Sequence, residues 1–302
     1  MRPLMLFASF IFGSIIGSFL NVVLDRIDTK ESFIKGRSYC PYCKKTLSFL
    51  ELIPILSFFL LKGRCLKCKN KISLQYPIVE SLTALLFFLL TLRIFRFSFI
   101  PNFFLRFFSD FNLEKLIILI NLIFWFYWLI VLILISIYDI KKYLILSEVL
   151  FPAIFISLIW KIFYGLYLIF SKRTFFSFQL TQFLGSYTYL FGIYSYFLSL
   201  FLGIFFSFLV ISLIVYLSKE RAMGWGDAIL ALFLGIILGW PAVLVSLILA
   251  FLIGGAVSFI LILLKKKTLK SYVPFAPFLS LGALLVMLFG DIIIKGYLLL
   301  GI

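Results

Sequence analysis

The sequence predicts an all-α polytopic membrane protein with about eight transmembrane helices and a small polar, cysteine-bearing loop between the first two. Three observations predict it. The 302-residue chain is 64% hydrophobic and only 13% charged. Apolar runs of about 20 residues, the length that crosses a bilayer as a helix, recur along it. All four cysteines fall in the one long polar stretch, residues 25–76.

The expected spans are residues 4–24, 77–97, 114–137, 143–166, 190–217, 226–240, 242–264 and 274–294. They divide the chain into a first helix (1–24), a loop (25–76) and a polytopic remainder (77–302). The first run holds Gly13, Gly17, Ser18 and Asn21, and no small-x-small cleavage site follows it. That favours a retained helix over a signal peptide. The sixth run is short for a span, and only the Gly239-Trp240-Pro241 turn separates it from the seventh.

Orientation follows from lysine and arginine. Residues 25–76 carry eleven of the 28 basic residues. Lys141, Lys142, Lys219, Arg221, Lys265, Lys266, Lys267 and Lys270 join them on the same face if the spans alternate. That face is expected to be cytoplasmic, with both chain ends outside. The net charge of +16 is spread over short juxtamembrane segments. It therefore reads as topology signals and contact with anionic lipid, not as nucleic-acid binding.

The chain has no histidine. This excludes a Ser-His triad, a Cys-His pair and an H-E-x-x-H zinc site. A Ser-Lys dyad has no sizeable soluble domain to house it. Among the acidic residues, Glu80, Asp139, Glu148, Glu220 and Asp227 fall near the expected cytoplasmic face.

Cys40-Pro41-Tyr42-Cys43 and Cys65-Leu66-Lys67-Cys68 form paired C-x2-C motifs separated by 21 residues. This spacing is a tetrahedral zinc signature, so a structural Zn2+ on Cys40, Cys43, Cys65 and Cys68 is expected. Two disulfides are the alternative, disfavoured in a reducing compartment. The loop between helices 1 and 2 is thus read as a small zinc-knuckle module.

Asp139 closes the third span and Asp227, in Gly224-Trp225-Gly226-Asp227, opens the sixth. The orientation, set by loop charge alone, brings both to one face. Ionisable residues at a membrane span read as functional, with a partner. Two neighbouring carboxyls share a proton and can work as acid and base on a peptide. Gly224 and Gly226 would let backbone or substrate approach Asp227. The alternative for Asp227 is a helix cap, and for Glu80, at the start of the second helix, a favourable charge at a helix N-terminus. Asn21 and Arg26 are read as ordering the end of the first helix.

Taken in order, the motifs resemble the type IV prepilin peptidases, the leader peptidase/N-methyltransferase family. The resemblance rests on Gly17-Ser18-Phe19-Leu20-Asn21 with Arg26, the cysteine pairs, Glu51-Leu52-Ile53-Pro54, Tyr76-Pro77-Ile78-Val79-Glu80, Asp139, Gly224–Asp227 and Pro274-Phe275-Ala276-Pro277. Leu146-Ser147-Glu148 and Ile229 depart from the pattern. The resemblance implies an aspartyl endopeptidase of the bacterial cytoplasmic membrane, with Asp139 and Asp227 catalytic and Glu80, Gly224 and Gly226 supporting. Its substrates would be prepilins or pseudopilins, cut at the basic leader. It further implies N-methylation of the new N-terminus from S-adenosylmethionine. The alternatives are a presenilin-like or preflagellin-type protease, or a transporter or scaffold with a zinc-bound regulatory loop. Oligomeric state is not legible in the sequence.

Overall fold

The computed structural model describes residues 2–27, 32, 36–96, 113–170, 195–221, 223–268 and 271–299. Among them the helices are α1 (Arg2–Arg26), a 3-10 turn (Phe49–Leu52), α2 (Leu56–Leu60), α3 (Gln75–Arg96), α4 (Leu113–Lys142) and α5 (Ser147–Phe170). Then follow α6 (Ser195–Ser218), α7 (Trp225–Leu238), α8 (Ala242–Leu263) and α9 (Ala276–Leu299). No strand is present among the described residues; two isolated bridges, Tyr39–Thr46 and Arg64–Lys71, pair there. The chain is an all-helical, multi-pass membrane protein. Six helices, α1, α3, α4, α5, α6 and α8, contain segments long and apolar enough to cross a membrane; α7 and Ala276–Gly290 of α9 are shorter apolar helices. Residues 190–194 of the expected fifth span, Lys270 and the stretch 98–112 lie outside the described residues.

Packing divides the chain into two compact units, Met1–Ser109 and Asp110–Ile302. In the first, α1 packs along α3. A Cβ on Gly17 would fall 2.7 Å from Glu80 Cα, and one on Gly13 would fall 2.9 Å from Ala84 Cα. The two backbones therefore touch, as small residues four apart allow in membrane helices. Polar contacts close the end of the pair. Asn21 Nδ2 donates to Tyr76 O and its Oδ1 accepts from Gln75, while Tyr76 Oη donates to Asp25 at 2.7 Å. Arg26 reaches the carbonyls of Ser32 and Arg37 in the loop. The expected ordering role of Asn21 and Arg26 is met by these bonds.

In the second unit α6 packs on α7, α8 on α9, α9 on α4, and α5 on α7. The central element is α7, only 14 residues long. At 1.5 Å per residue it covers about 21 Å of a hydrocarbon layer roughly 30 Å thick. It is buried nearly all round, from Ala228 to Leu238, as a helix apolar on every face should be. Gly239 at φ 68° ends it, followed by the cis Trp240-Pro241 bond. Its last turn needs hydrogen-bond donors, because carbonyls there have no intrahelical partners. Lys161 of α5, a buried lysine inside a span, donates its Nζ to Ile237 O at 2.9 Å and lies 5.0 Å above the Trp128 ring. Just beyond the helix, Ser199 Oγ donates to Trp240 O at 2.6 Å, and Trp240 N donates to Ser199 O.

The α6–α7 contact is equally close. A Cβ on Gly235 would stand 2.5 Å from both Gly203 O and Ser207 Oγ, whereas one on Gly255 would meet nothing within 4 Å. Gly235→Val should therefore lower the thermal midpoint in detergent, at a cost of about 1–3 kcal/mol for overpacking. Gly255→Val, a matched change in α8, should leave it nearly unchanged. Equal midpoints for the two variants would refute the close approach.

Candidate active site and metal centre

Asp139 lies on the last turn of α4, where Lys141 and Lys142 also sit, cations well placed at a helix C-terminus. Its chain leaves the helix through Tyr143, at φ 58°, whose N–H donates to Asp139 O at 2.8 Å. The carboxyl is 5% exposed. Its Oδ2 accepts the backbone N–H of Ala276 at 3.2 Å. Ala276 is the first residue of α9, so this is an N–H that no helical carbonyl can take, offered to an acid at the positive end of a helix. Pro274-Phe275-Ala276-Pro277, a motif without a stated role in the sequence, is thus the segment that presents this donor.

Asp227 is the third residue of α7 and half-buried. Its Oδ2 accepts from Gly224 N at 3.1 Å, and its own N–H donates to Gly224 O. It is not the cap residue; Gly224 is, and Asp227 reaches back to it as the third residue of a capping box does. One carboxylate oxygen is spoken for and the other has no hydrogen bond described. Asp139 and Asp227 are near enough for their charges to repel. Each carboxyl is held by a different helix N-terminus, and both lie in the second unit.

The two glycines differ. A Cβ on Gly226 would press 3.1 Å from the Ile145 side chain, while one on Gly224 would have only Gly226 N, at 4.0 Å. Packing against the α4–α5 turn accounts for Gly226. Gly224 is exposed and sterically unconstrained, with space in front of it. Glu80 belongs to the first unit. It is buried, accepts the N–H of Ile55 at 2.7 Å and lies beside α1, whose Gly17 approaches its Cα. It joins three segments of that unit. Glu148 and Ser147 open α5, and Ile229 lies two residues beyond Asp227 in α7.

The four cysteines converge. Their sulfurs lie within 4.8 Å of one another, and Cys40 and Cys68 Sγ are 3.8 Å apart. All four are free thiols. A disulfide needs about 2.05 Å, whereas four sulfurs at about 2.3 Å from a tetrahedral ion have edges of roughly 3.8 Å. The set fits a metal ion. Two matched knuckles build it. Cys40 N donates to Lys45 O and Lys44 N to Cys40 O; Cys65 N donates to Asn70 O and Lys69 N to Cys65 O. Lys44 and Lys69, each four residues after its cysteine, take positive φ of 55° and 58°. The backbone amides of Cys68 and Lys67 draw the Cys65 thiol down to about 6. Despite the Asn70 amide, burial and the neighbouring thiols push Cys68 up to about 11.

Sequence reading gave Glu51 no role of its own. Its carboxylate accepts from Ser48 N, Ser48 Oγ and Lys45 Nζ, the last at 3.0 Å to both oxygens. It ties the first knuckle to the 3-10 turn. Lys161 was likewise missed. A cation within an apolar run was the available signal.

These features define a polytopic membrane protein with two carboxyls anchored on helix N-termini and a cluster of four thiols. Residues 11–94 match the bacterial peptidase A24 N-terminal domain, and residues 125–259 match the type IV leader peptidase family. A prepilin leader peptidase/N-methyltransferase of Bacillus subtilis is 30% identical over 97% of this chain and 98% of its own. One of Aeromonas salmonicida is 28% identical over 96% and 92%. One of Myxococcus xanthus is 49% identical over 28% of this chain and 25% of its own. No solved structure matches significantly. The chain belongs to the prepilin leader peptidase/N-methyltransferase family.

The Ser48 backbone N–H, with Lys45 and the Ser48 hydroxyl, holds the Glu51 carboxyl below its ordinary range against the opposing effect of burial. Its contribution is complete above that range and is lost as pH falls through the lowered value. At neutral pH, Glu51→Gln should speed amide exchange over residues 45–55 while leaving exchange in α1 and α3 unchanged. Unaltered exchange in 45–55 would show that Glu51 is not the tie.

Proposed function

We propose that this protein is an aspartyl endopeptidase that removes the basic leader from prepilins and pseudopilins at the cytoplasmic face of a bacterial cytoplasmic membrane. The observation that carries the reading is that Asp139 and Asp227 are each anchored on a helix N-terminus, with Asp139 close enough to act electrostatically on Asp227. Two carboxyls so placed share one proton. The ionised member takes a proton from water as the oxygen attacks the scissile carbonyl. The protonated member hydrogen-bonds that oxygen in the tetrahedral adduct and then passes its one proton to the amide nitrogen; the adduct collapses to the new acid and amine, and the pair again holds one proton, the one taken from water. Which aspartate begins protonated is left to the pair. The open space at Gly224 suits an approaching substrate strand; Gly226 seats α7 against Ile145, and Glu80 fixes Ile55 of the loop to α3 within the first unit. The family membership and the match over residues 11–94 weigh against the presenilin-like, preflagellin-type and transporter readings.

Cys40, Cys43, Cys65 and Cys68 would hold a structural Zn2+, which supplies four bonds that fix the knuckles and leaves no open position for substrate. Methylation of the new N-terminus from S-adenosylmethionine follows from the relatives' names and the family resemblance. The described residues contain no strand and so no glycine-rich strand-to-helix turn for a nucleotide. The donor is assigned to no residue, and the loop of residues 25–76 is the candidate surface.

Asp139→Asn and Asp227→Asn each keep an oxygen for Ala276 N or Gly224 N but cannot exchange a proton. Each should fold normally and cleave purified prepilin at least roughly 100-fold more slowly, while still methylating a pre-cleaved pilin. A variant retaining more than about a tenth of the activity would remove its residue from the pair.

Freshly purified protein should contain one equivalent of zinc, and Cys43→Ser should lose it. Less than half an equivalent with intact thiols would argue against the metal. The melting of the helices should change little in Cys43→Ser, since the thiol centre lies wholly within the loop.

A further inference from the structure

We infer that residues 49–60, between the two cysteine knuckles, form an arm that dips into the membrane interface and rests on anionic lipid. The loop is not simply a solvated module lying above the spans.

The sequence of this arm is Phe-Leu-Glu-Leu-Ile-Pro-Ile-Leu-Ser-Phe-Phe-Leu. A solvated loop would fold such residues inward. Here they point out. Phe49 is 82% exposed, Leu50 70%, Leu56 59%, Phe59 68% and Leu60 74%. Soluble surfaces rarely gather so many large apolar side chains in one place. The arm's one carboxylate, Glu51, is turned inward onto Ser48 and Lys45.

Its depth is fixed by a backbone bond. Ile55 N–H donates to Glu80 at 2.7 Å, and the Glu80 backbone packs against Gly17, the neighbour of Ser18 in α1. Glu80 lies five residues into α3, about 7.5 Å past its start, and Ser18 lies eight residues, about 12 Å, before the end of α1. The tip of the arm is therefore drawn down beside the spans, below the level at which they emerge. Ile78 and Phe19, neighbours of Glu80 and Ser18 in sequence, are exposed apolar residues of those spans, 60% and 46% accessible. The arm continues this lipid-facing surface.

The turn that makes the dip is strained. Ile55 has φ 64° and ψ −55°, and Leu56 N donates to Pro54 O at 2.6 Å. That is a γ-turn of the rare positive-φ kind, here centred on a β-branched residue. Such strain persists only where surroundings enforce it, and the Glu80 carboxylate does so.

Charge selects the lipid. Around the arm Arg37, Lys44, Lys62, Arg64, Lys67, Lys69 and Lys71 are exposed, and Glu51 is the only carboxylate in residues 36–74. A cationic rim around an apolar tip is the pattern of a segment held at an anionic interface. The same rim would repel a second copy of itself or a basic peptide.

The test places a genetically encoded nitroxide amino acid at Phe49, Leu56, Phe59 or Leu60 of the full chain in phosphatidylglycerol nanodiscs. Collision with molecular oxygen and with an aqueous nickel chelate is then measured. Each position should favour oxygen over nickel, as a label at Leu85 in α3 does, and unlike one at Lys69. The preference should weaken in phosphatidylcholine. Nickel contact equal to that at Lys69 overturns the proposal. So does spin–spin broadening that disappears on dilution with unlabelled protein, which assigns the arm to a second copy. No dependence on lipid charge overturns its electrostatic half. The readout does not involve peptide cleavage, so it stands or falls apart from the proposed activity.

Discussion

A helix that stops inside a hydrocarbon layer leaves its last carbonyls without water to bond. In this protein α7 stops after 14 residues, and the second unit is arranged around that fact. Lys161 and Ser199, on two different helices, bring donors to the chain where α7 ends and turns. Removing either donor would strand a carbonyl in an apolar core, at about 1–3 kcal/mol. The Gly203–Gly235 approach draws α6 against the same helix. With its far end pinned in this way, the first turn of α7 has a fixed place, and Asp227 with it.

The near end uses the opposite pole of the same physics. Helix N-termini carry unpaired N–H groups and partial positive charge. Gly224 N, at the cap of α7, bonds Asp227, and Ala276 N, at the start of α9, bonds Asp139. Backbone, not side-chain cations, orients both carboxyls, so each keeps its position without a permanent ion pair that would hold it ionised.

Much of this was legible in the sequence, and the reasons are physical. Hydropathy located the apolar helices because a bilayer admits almost no other secondary structure. The cysteine spacing indicated a centre because C-x2-C leaves few geometries. Asp139 and Asp227 stood out because charge is scarce in such a chain. The sequence did not reveal partners at long separation. Nothing near Ala276 announces that its N–H faces residue 139, and Lys161 carries no mark that it serves residue 237. Gly226 could be read as room for substrate until Ile145 was placed against it. The loop was read as a polar module because its charges are numerous; the outward apolar residues and the bond from Ile55 to Glu80, 25 residues apart, are visible only in the fold.

The carboxyls belong to different packed groups. Asp139 is on α4 and is bonded to the head of α9, which lies against α8; Asp227 rides on α7, locked to α6. Their separation is therefore set by the register of these helices together with the seat of Gly226 against Ile145, between α4 and α5. A slide of one residue along a helix axis amounts to about 1.5 Å, enough to make or break a shared proton. Alignment of whole helices is thus the structural variable on which the proposed carboxylate pair depends.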